Sequence, residues 1–321
     1  KFMQITNIND ISLPLAVWLA ADSYDFTPSE HAISATSLLR PLRQTLLERR
    51  LTTETKEVPD VSDFIASRMG HSIHDGIERA WRGNYKEALK RLGYPDKLVE
   101  SVRINPTELN EGEVPIYLEQ RSTREFMGYV VSGKFDMILD GELNDFKSTS
   151  VYGYINGTND EKYIQQGSIY RWLNPEKVTK DHMQIQFIFT DWSRAQSKAN
   201  QNYPKQKITT KTYALMSFKE TEAWIAERLT QITNFNKTPQ RDLPRCSDKD
   251  LWRGNTIYKY FSDPTKTSGR STKNFTDRHQ ANLYIQQKGK GVIVEVPGQV
   301  KACGYCPAFP ICTQKDEYIH E

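Results

Sequence analysis

The chain has 321 residues, of which 26% are charged and 37% hydrophobic, and its formal net charge at pH 7 is +3. This length is enough for one large domain or two smaller ones with a sizeable core. No apolar run is long enough to span a membrane, so the composition predicts a globular protein, and the small net charge does not by itself indicate a polyanionic ligand.

Basic residues are nevertheless concentrated in three short segments. Such clusters suit contacts with phosphate groups, although any one of them is more often a solvated loop. The clusters are Arg40, Arg43, Arg49 and Arg50, then Lys198, Lys205, Lys207 and Lys211, then Lys266, Arg270 and Lys273 in a loop rich in Ser, Thr and Gly.

Residues 1–58 are predicted to form an N-terminal helical region. The run 34–37 is typical of a helix cap and precedes a predicted helix through Arg50, in which Pro41 either occupies the first turn or introduces a kink. The apolar stretch 13–21 contains a proline and lacks the basic leader of a signal peptide, so secretion is not expected.

Residues 59–240 are predicted to form the core domain. Its clearest helix covers 60–82, with Ser62 as its cap. Apolar side chains recur there at every fourth position, namely Ile65, Met69, Ile73, Ile77 and Trp81. Further helices are predicted at 85–92, 161–173 and 219–233, and strands at 114–120, 126–139, 142–147, 183–190 and 208–217. The interleaving predicts an α/β fold with a mixed central β-sheet flanked by helices.

Residues 241–321 are predicted to form a small C-terminal subdomain. It contains a predicted helix at 277–287, an apolar strand at 291–296 and a cysteine-rich tail.

A predicted hairpin within residues 133–147 gathers two carboxylates and a lysine. Asp140-Gly141 is a strong two-residue turn signal, and counting outward from it pairs Asp136 with Asp145. Opposed residues on one face have Cβ atoms about 4.5 to 5.5 Å apart. Two carboxylates that close repel unless a divalent cation bridges them, and Lys147 points to the same face as Asp145. The pattern therefore predicts a metal site with a lysine beside it.

Further candidate ligands lie outside the hairpin. His74, on the 60–82 helix, is a candidate third ligand, and His71, three residues earlier, is its rival. A lone histidine is more often a hydrogen-bonded residue of a helix surface, and only the neighbouring hairpin motif favours metal binding. Glu119, in a predicted strand, is another acidic candidate, although a surface position suits it equally well.

Four motifs occur in order along the core domain: Gly70-x-x-x-His74, Gly133-Lys134-Phe135-Asp136, Asp145-Phe146-Lys147 and Gln166-x-x-x-Tyr170. In order and approximate spacing they resemble the motifs of the RecB-like branch of the PD-(D/E)XK nucleases. The resemblance implies that Mg²⁺ or Mn²⁺ is held by His74, Asp136, Asp145 and the backbone carbonyl of Phe146. It also implies that Lys147 orients or activates the attacking water. It gives Gln166 and Tyr170 a supporting role beside the active site.

All four cysteines lie in the last quarter of the chain, at Cys246, Cys303, Cys306 and Cys312. Zinc and a [4Fe–4S] cluster both use four cysteine ligands. Disulfides are not expected, because nothing indicates an oxidising compartment. Zinc ribbons usually present two Cys-x-x-Cys pairs, whereas this chain has one solitary cysteine and a group of three, which favours iron and sulfur.

The tail, with Pro307 and Pro310, resembles the cluster-binding end of the iron–sulfur RecB-like nucleases, including AddB and the CRISPR-adaptation nucleases. Those relatives place the solitary cysteine before the nuclease motifs, near the segment that is here 40–44. In this chain Cys246 follows the motifs, which is similar to the arrangement of phage-encoded RecB-like exonucleases.

Taken together, these features predict a Mg²⁺- or Mn²⁺-dependent deoxyribonuclease with a structural [4Fe–4S] cluster. The resemblance alone implies exonuclease action on single strands or duplex ends, in phage or bacterial DNA recombination, repair or replication. The expected partner is DNA, with a recombination or replication protein as a second candidate and no membrane. The expected location is the cytoplasm of a bacterial cell or phage-infected host. Two alternatives stay open: a structure-specific or nicking endonuclease, and a non-catalytic DNA-binding recombination partner with a vestigial nuclease site.

Overall fold

The computed structural model describes residues 5–21, 29, 31–52, 55 and 58–319. Its α-helices are α1 (Leu13–Ala20), α2 (Ala35–Leu38), α3 (Leu42–Glu48), α4 (Ile65–Gly83), α5 (Tyr85–Arg91), α6 (Asp96–Ser101), α7 (Val151–Ile155), α8 (Asp160–Leu173), α9 (Arg194–Ala199), α10 (Phe218–Phe235) and α11 (Arg278–Lys288). Its strands are β1 (Ala32–Ser34), β2 (Val102–Ile104), β3 (Val114–Phe126), β4 (Tyr129–Leu139), β5 (Glu142–Thr149), β6 (His182–Phe189), β7 (Ile208–Ala214), β8 (Ile257–Phe261), β9 (Lys273–Phe275) and β10 (Val292–Val296).

Seven strands form a mixed sheet in the order β2-β3-β4-β5-β6-β7, with β1 added beside β4. The β3–β4, β4–β5 and β6–β7 pairs are antiparallel, whereas β2–β3, β5–β6 and β1–β4 are parallel. A parallel pair needs a crossover connection, and α7 and α8 supply it between β5 and β6. The predicted mixed central sheet with flanking helices is therefore confirmed.

The β4 strand has two different neighbours along one edge. Its residues 137–139 pair with β5, and its residues 130–132 pair with β1. Between these two contacts, residues 133–136 of β4 pair with neither strand on this edge. The edge of the sheet is therefore open at Asp136.

Contacts between residues divide the chain into two compact units. The first comprises Lys1–Arg40 and Val58–Gln231 and contains the seven-stranded sheet. The second comprises Pro41–Glu57 and Ile232–Glu321 and contains a three-stranded antiparallel sheet in the order β10-β8-β9. This division splits the N-terminal 58 residues and assigns α3 to the same unit as the cysteine-rich tail.

The helix predicted through Arg50 is interrupted at Pro41. The cap is where the sequence predicts it, because the Ser34 hydroxyl accepts a hydrogen bond from the Ser37 N–H at 3.1 Å, but α2 ends after one turn. Pro41 has φ −51° and ψ 138°, an extended conformation that ends one helix and precedes the next.

The prediction that Ser62 caps the long helix is wrong. Asp60 is the cap, and it starts a 3₁₀ turn (Val61–Phe64) that leads into α4. Its carboxylate accepts hydrogen bonds from the Ser62 hydroxyl at 2.6 Å and the Ser62 N–H at 3.0 Å, and these bonds lower the pKa of Asp60 to about 2. Asp63 completes a capping box by accepting from the Asp60 N–H at 2.9 Å.

Short elements escaped the sequence analysis. The helices α1, α6, α7 and α9 and the strands β1 and β2 were not predicted, and short strands were expected after residue 240 without bounds for β8 and β9. Segments this short carry too little periodicity. Among the described residues, no helix combines the length and the apolar character needed to cross a lipid bilayer.

Candidate metal centre and cysteine site

The hairpin of β4 and β5 has the register that the sequence predicts. Asp140 and Gly141 form its turn with φ of 47° and 82°, as a two-residue type I′ loop requires. The observed pairs run from Leu139 with Glu142 to Met137 with Asn144. Continuing this register places Asp136 opposite Asp145 at the opening in the sheet edge.

Two carboxylates and a lysine meet at this point. The Lys147 ammonium lies 2.6 Å from Oδ2 of Asp145, whose side chain is 6% exposed. Oδ2 of Asp136 accepts a hydrogen bond from the Phe146 N–H at 2.8 Å. The short bond ties the two strands together where the backbone ladder has ended.

His74 reaches the hairpin from α4. Its Nδ1 lies 3.3 Å from Asp136 and its Nε2 lies 3.0 Å from the carbonyl oxygen of Phe146. The ring meets the Phe146 ring edge-on, with centroids 6.0 Å apart. Four groups are therefore neighbours in space, although 72 residues separate His74 from Phe146. They are the side chains of His74, Asp136 and Asp145 and the carbonyl of Phe146.

Glu119 joins this group. Its carboxylate lies 3.8 Å from Nδ1 of His74 and 2.9 Å from the ammonium of Lys134. One ligand atom from each of His74, Glu119 and Asp136 falls within 4.8 Å of the others. Glu119 has φ of 50°, an uncommon conformation for a strand residue, and such positions concentrate at functional sites.

Burial and charge set the protonation of these groups. Burial opposes the charged form of His74, but its hydrogen bonds to Asp136 and Glu119 and the nearby carboxylates outweigh burial and raise its pKa to about 10. Burial, assisted by the charge of Asp136, raises the pKa of Asp145 to about 6 despite the opposing Lys147. Burial also disfavours ionised Asp136, yet His74 and Lys147 hold the pKa of that carboxyl below its usual range.

These shifts describe a carboxylate cluster whose negative charge is balanced by a histidine proton and a lysine. Oxygen ligands with one imidazole suit Mg²⁺ and Mn²⁺. Binding of such an ion requires neutral His74, so the ion would take the place of that proton.

Gln166 and Tyr170 lie on one face of α8, as their spacing predicts. The Gln166 amide donates to the Tyr170 hydroxyl at 2.8 Å. Burial raises the pKa of Tyr170, with the charge of Asp145 adding to the effect. One residue of this face was missed: the Lys147 ammonium lies 5.9 Å from the ring centre of Tyr163. The helical spacing of Tyr163 from Gln166 and Tyr170 was the available signal.

A cleft of about 370 Å³ opens beside these residues, lined by His74, Glu119, Asp136, Tyr170 and others. His71 lines the cleft too, but it is exposed and is not among the described ligand atoms that approach one another closely. Of the two histidines, the geometry favours His74.

Gly133 fixes the distance between β4 and α8. A Cβ there would lie 2.8 Å from both Leu173 Cδ1 and Tyr170 Cε1. Gly133→Ala is expected to lower the free energy of unfolding by about 1 to 3 kcal/mol, the usual cost of overpacking. Gly76→Ala is the control, because a Cβ at Gly76, inside α4, would meet no heavy atom within 4 Å. It should stabilise by up to about 1 kcal/mol. Guanidinium unfolding measures both, and equal stability of Gly133→Ala and wild type would contradict this packing.

In the second unit, Cys246, Cys303, Cys306 and Cys312 line one small cavity. Gln314 brings the solitary cysteine to the tail, since its amide accepts from the Cys246 N–H at 2.9 Å and donates to the Cys246 carbonyl at 3.0 Å. Burial raises the pKa of Cys246 to about 12, and burial also raises the pKa of Cys303 and Cys306. No three of these described sulfur atoms lie mutually within 4.8 Å, unlike the ligand atoms of His74, Glu119 and Asp136.

Arg43 of α3 reaches the same cavity and was not singled out as a site residue by the sequence. Its side chain is 4% exposed, and its Nε donates to Sγ of Cys312 at 3.4 Å. The remaining nitrogens donate to the carbonyls of Gln240 and Leu243, the Gln240 amide oxygen and the Thr313 hydroxyl. All these acceptors are neutral groups. A buried guanidinium is stabilised by nearby negative charge, which Glu317 provides in part and to which thiolates bound to a metal would add.

Comparisons with known proteins give little further information. No family model matches the chain, and no curated protein matches it. Among solved structures it is similar to SSO0001, with a TM-score of 0.41, 16% identity, and coverage of 67% of this chain and 83% of that one. A phage-related exonuclease from Haemophilus somnus 129PT matches with a TM-score of 0.24 and 19% identity, over 35% of this chain and 55% of the other. Likenesses this weak support no conclusion about function.

Proposed function

We propose that the chain is a Mg²⁺- or Mn²⁺-dependent DNA nuclease of the RecB-like PD-(D/E)XK type. One observation carries the proposal: His74, Asp136, Asp145 and the Phe146 carbonyl converge at the opening between β4 and β5, beside Lys147. These groups come from three elements, and the His74 proton that now offsets the carboxylate charge is one that a bound cation would replace.

In this proposal His74, Asp136, Asp145 and the Phe146 carbonyl hold the ion, with Glu119 as a further possible ligand on the His74 side. When bound, the ion supplies charge stabilisation at the scissile phosphate and lowers the pKa of a coordinated water. The neighbouring carboxylates raise the pKa of Lys147 against the effect of burial, so this side chain acts as a positive charge that positions the phosphate and the water. Tyr170, whose hydroxyl accepts a hydrogen bond from the Gln166 amide, lines one wall of the cleft and limits where the DNA strand can lie.

We further propose that the four cysteines hold a [4Fe–4S] cluster. In the described part of the chain, all four cysteines line one cavity whose lining contains no histidine, aspartate or glutamate, and four thiolates are the ligand set that such a cluster uses. Arg43 supports a metal-bound Cys312, because its donation to the sulfur suits an anionic thiolate. The cluster has no open ligand position when all four cysteines bind it, so its role is structural.

The proposed substrate is DNA with free ends. Purified protein is incubated with Mg²⁺ or Mn²⁺ and end-labelled linear single strands, linear duplex or closed circles. We expect release of short products from a linear substrate and little attack on covalently closed circles. Efficient cutting of circles would instead indicate an endonuclease, and binding without cleavage under all metal conditions would indicate a non-catalytic DNA-binding protein.

The two histidines of α4 provide a matched pair. His74→Ala is expected to reduce kcat/KM for cleavage by roughly a hundredfold or more, because it removes a nitrogen ligand. His71→Ala should stay within about threefold of wild type, a difference of less than 1 kcal/mol in the barrier. Initial rates at saturating and limiting Mn²⁺ measure both variants. A large loss in His71→Ala with an active His74→Ala would mean that the wrong face of α4 has been assigned to the metal.

A further inference from the structure

The segment between Cys246 and Cys303 carries a concentration of positive charge that the nuclease site does not use. Residues 255–298 contain seven Lys or Arg against three Asp or Glu, a net charge of +4. The whole chain has a net charge of +3, so the other residues together carry −1. The segment forms β8, β9, α11 and β10, all in the second unit.

Two lysine side chains approach one tyrosine ring at one end of this small sheet, and a third lysine follows two residues after the second. Lys273 begins β9 and pairs with Tyr260, and its ammonium lies 4.6 Å from the ring centre of Tyr284. Lys288 ends α11, with its ammonium 5.4 Å from the same ring. The Lys290 carbonyl accepts a hydrogen bond from the Tyr260 hydroxyl at 3.0 Å, and the Tyr260 and Tyr284 rings pack edge-on. We call Lys273, Lys288 and Lys290 the lysine face.

The turn that carries two of these lysines is closely packed. Gly289, with φ of 65°, ends α11, and Gly291 has φ of 100°. A Cβ at Gly291 would lie 2.5 Å from the Phe261 carbonyl oxygen and 2.6 Å from the Tyr260 ring. Only glycine fits there, so the backbone of Lys288 and Lys290 is held in one place against β8.

The lysine face lacks a counter-charge of its own. All three side chains are exposed, and no carboxylate oxygen in the described part of the chain lies within 4.0 Å of their ammonium groups. Other cations of the segment do have acidic neighbours: Lys266 lies 3.6 Å from Asp263, and Arg278 lies 3.8 Å from Glu295. Grouped ammonium ions repel one another, and an external ligand with several spaced negative charges would relieve that repulsion.

We propose that the lysine face binds the phosphate backbone of DNA, at a site separate from the residues that cut it. The choice of DNA rests on the proposed nuclease function, whereas the requirement for a spaced polyanion rests on the lysines themselves. The contact is with phosphates and is independent of sequence, as lysine ammonium groups on a fixed backbone provide no base recognition.

The test compares full-length proteins carrying Asp145→Asn, so that DNA stays intact during binding. Lys273→Glu with Lys288→Glu reverses two of the three charges of the face, and Lys97→Glu with Lys219→Glu makes the same charge change at exposed lysines of the first unit. Fluorescence anisotropy of labelled 30-nucleotide DNA at several salt concentrations measures Kd. The first pair should weaken binding by about tenfold or more and reduce the salt slope by about 1 to 2, and the control pair should do much less.

A loss of folding is excluded by requiring unchanged iron content and thermal unfolding, and Lys273→Gln with Lys288→Gln replaces the glutamate pair if that condition fails. Restored binding by Lys273→Arg with Lys288→Arg supports a charge contact. Equal DNA affinities and equal salt slopes for the two glutamate pairs would overturn the proposal. This is also the result expected if the lysine face binds an acidic protein instead of DNA. Failure of the nuclease proposal is distinguishable from failure of this one. If the wild-type protein does not cleave DNA, the glutamate pair at the lysine face can still be tested for a loss of DNA binding.

Discussion

Asp145→Asn is expected to lower kcat/KM for metal-dependent DNA cleavage by about a thousandfold or more, equivalent to about 4 kcal/mol in the barrier. The change removes the negative charge of a buried ligand and also the partner of Lys147, 2.6 Å away. Both the ion and the lysine would then be wrongly placed. Asp136→Asn should have a similar effect, because Asp136 contacts His74 and bridges to Phe146.

Asp140→Asn is the matched control for these variants. It makes the same chemical change in the same hairpin, at a turn position with φ of 47° where asparagine is readily accepted. Cleavage by this variant should equal that of wild type, and all three proteins should show the same far-ultraviolet circular dichroism. Wild-type rates with Asp145→Asn would remove the catalytic assignment of the hairpin.

Cys246→Ser is expected to eliminate most of the bound iron and to loosen the second unit. A cluster bound by both Cys246 and Cys303 would close a loop of 57 residues, which in an open chain has an entropic cost of roughly 3 to 4 kcal/mol. Without the cluster this restraint would be lost. The backbone amide hydrogens of β8, β9 and β10 should then exchange faster, whereas those of β4 and β5 should exchange at the wild-type rate. Iron analysis, visible absorption and hydrogen exchange measure these effects.

Cys306→Ser should lose iron to the same extent as Cys246→Ser, since both would be ligands despite their separation in sequence. The Asp145→Asn protein should keep about four irons per chain, as the two sites share no residue. A Cys246→Ser protein with a full cluster would contradict the ligand set. Stoichiometric zinc with no iron after anaerobic purification would contradict the cluster itself.

The core of the proposed metal centre could be predicted because a two-residue turn determines the register of its hairpin. Once Asp140 and Gly141 form the loop, Asp136 and Asp145 must oppose each other. The α4 helix was predictable from its apolar spacing, and the position of His74 on it followed. The β3–β4 register places Glu119 opposite Asp136, but its left-handed backbone, which no local pattern predicts, also shapes its contact with His74.

The neighbourhood of the cysteines was less predictable. The four thiols were identifiable from spacing, but Arg43 precedes Cys312 by 269 residues and reaches it only because α3 belongs to the second unit. The break at Pro41 separates α3 from α2 and so from the first unit. Contacts of this kind depend on how distant segments pack, and sequence periodicity gives no information about them.

A crystal structure with Mn²⁺ provides the most direct test of the proposed metal centre. We expect anomalous scattering from a manganese ion bound by the His74 ring, the carboxylates of Asp136 and Asp145, and the carbonyl oxygen of Phe146. The same peak should be absent from Asp145→Asn crystals under identical conditions. A fully occupied manganese elsewhere in the chain, or none here at millimolar Mn²⁺, would show that these residues do not form the metal site of a nuclease.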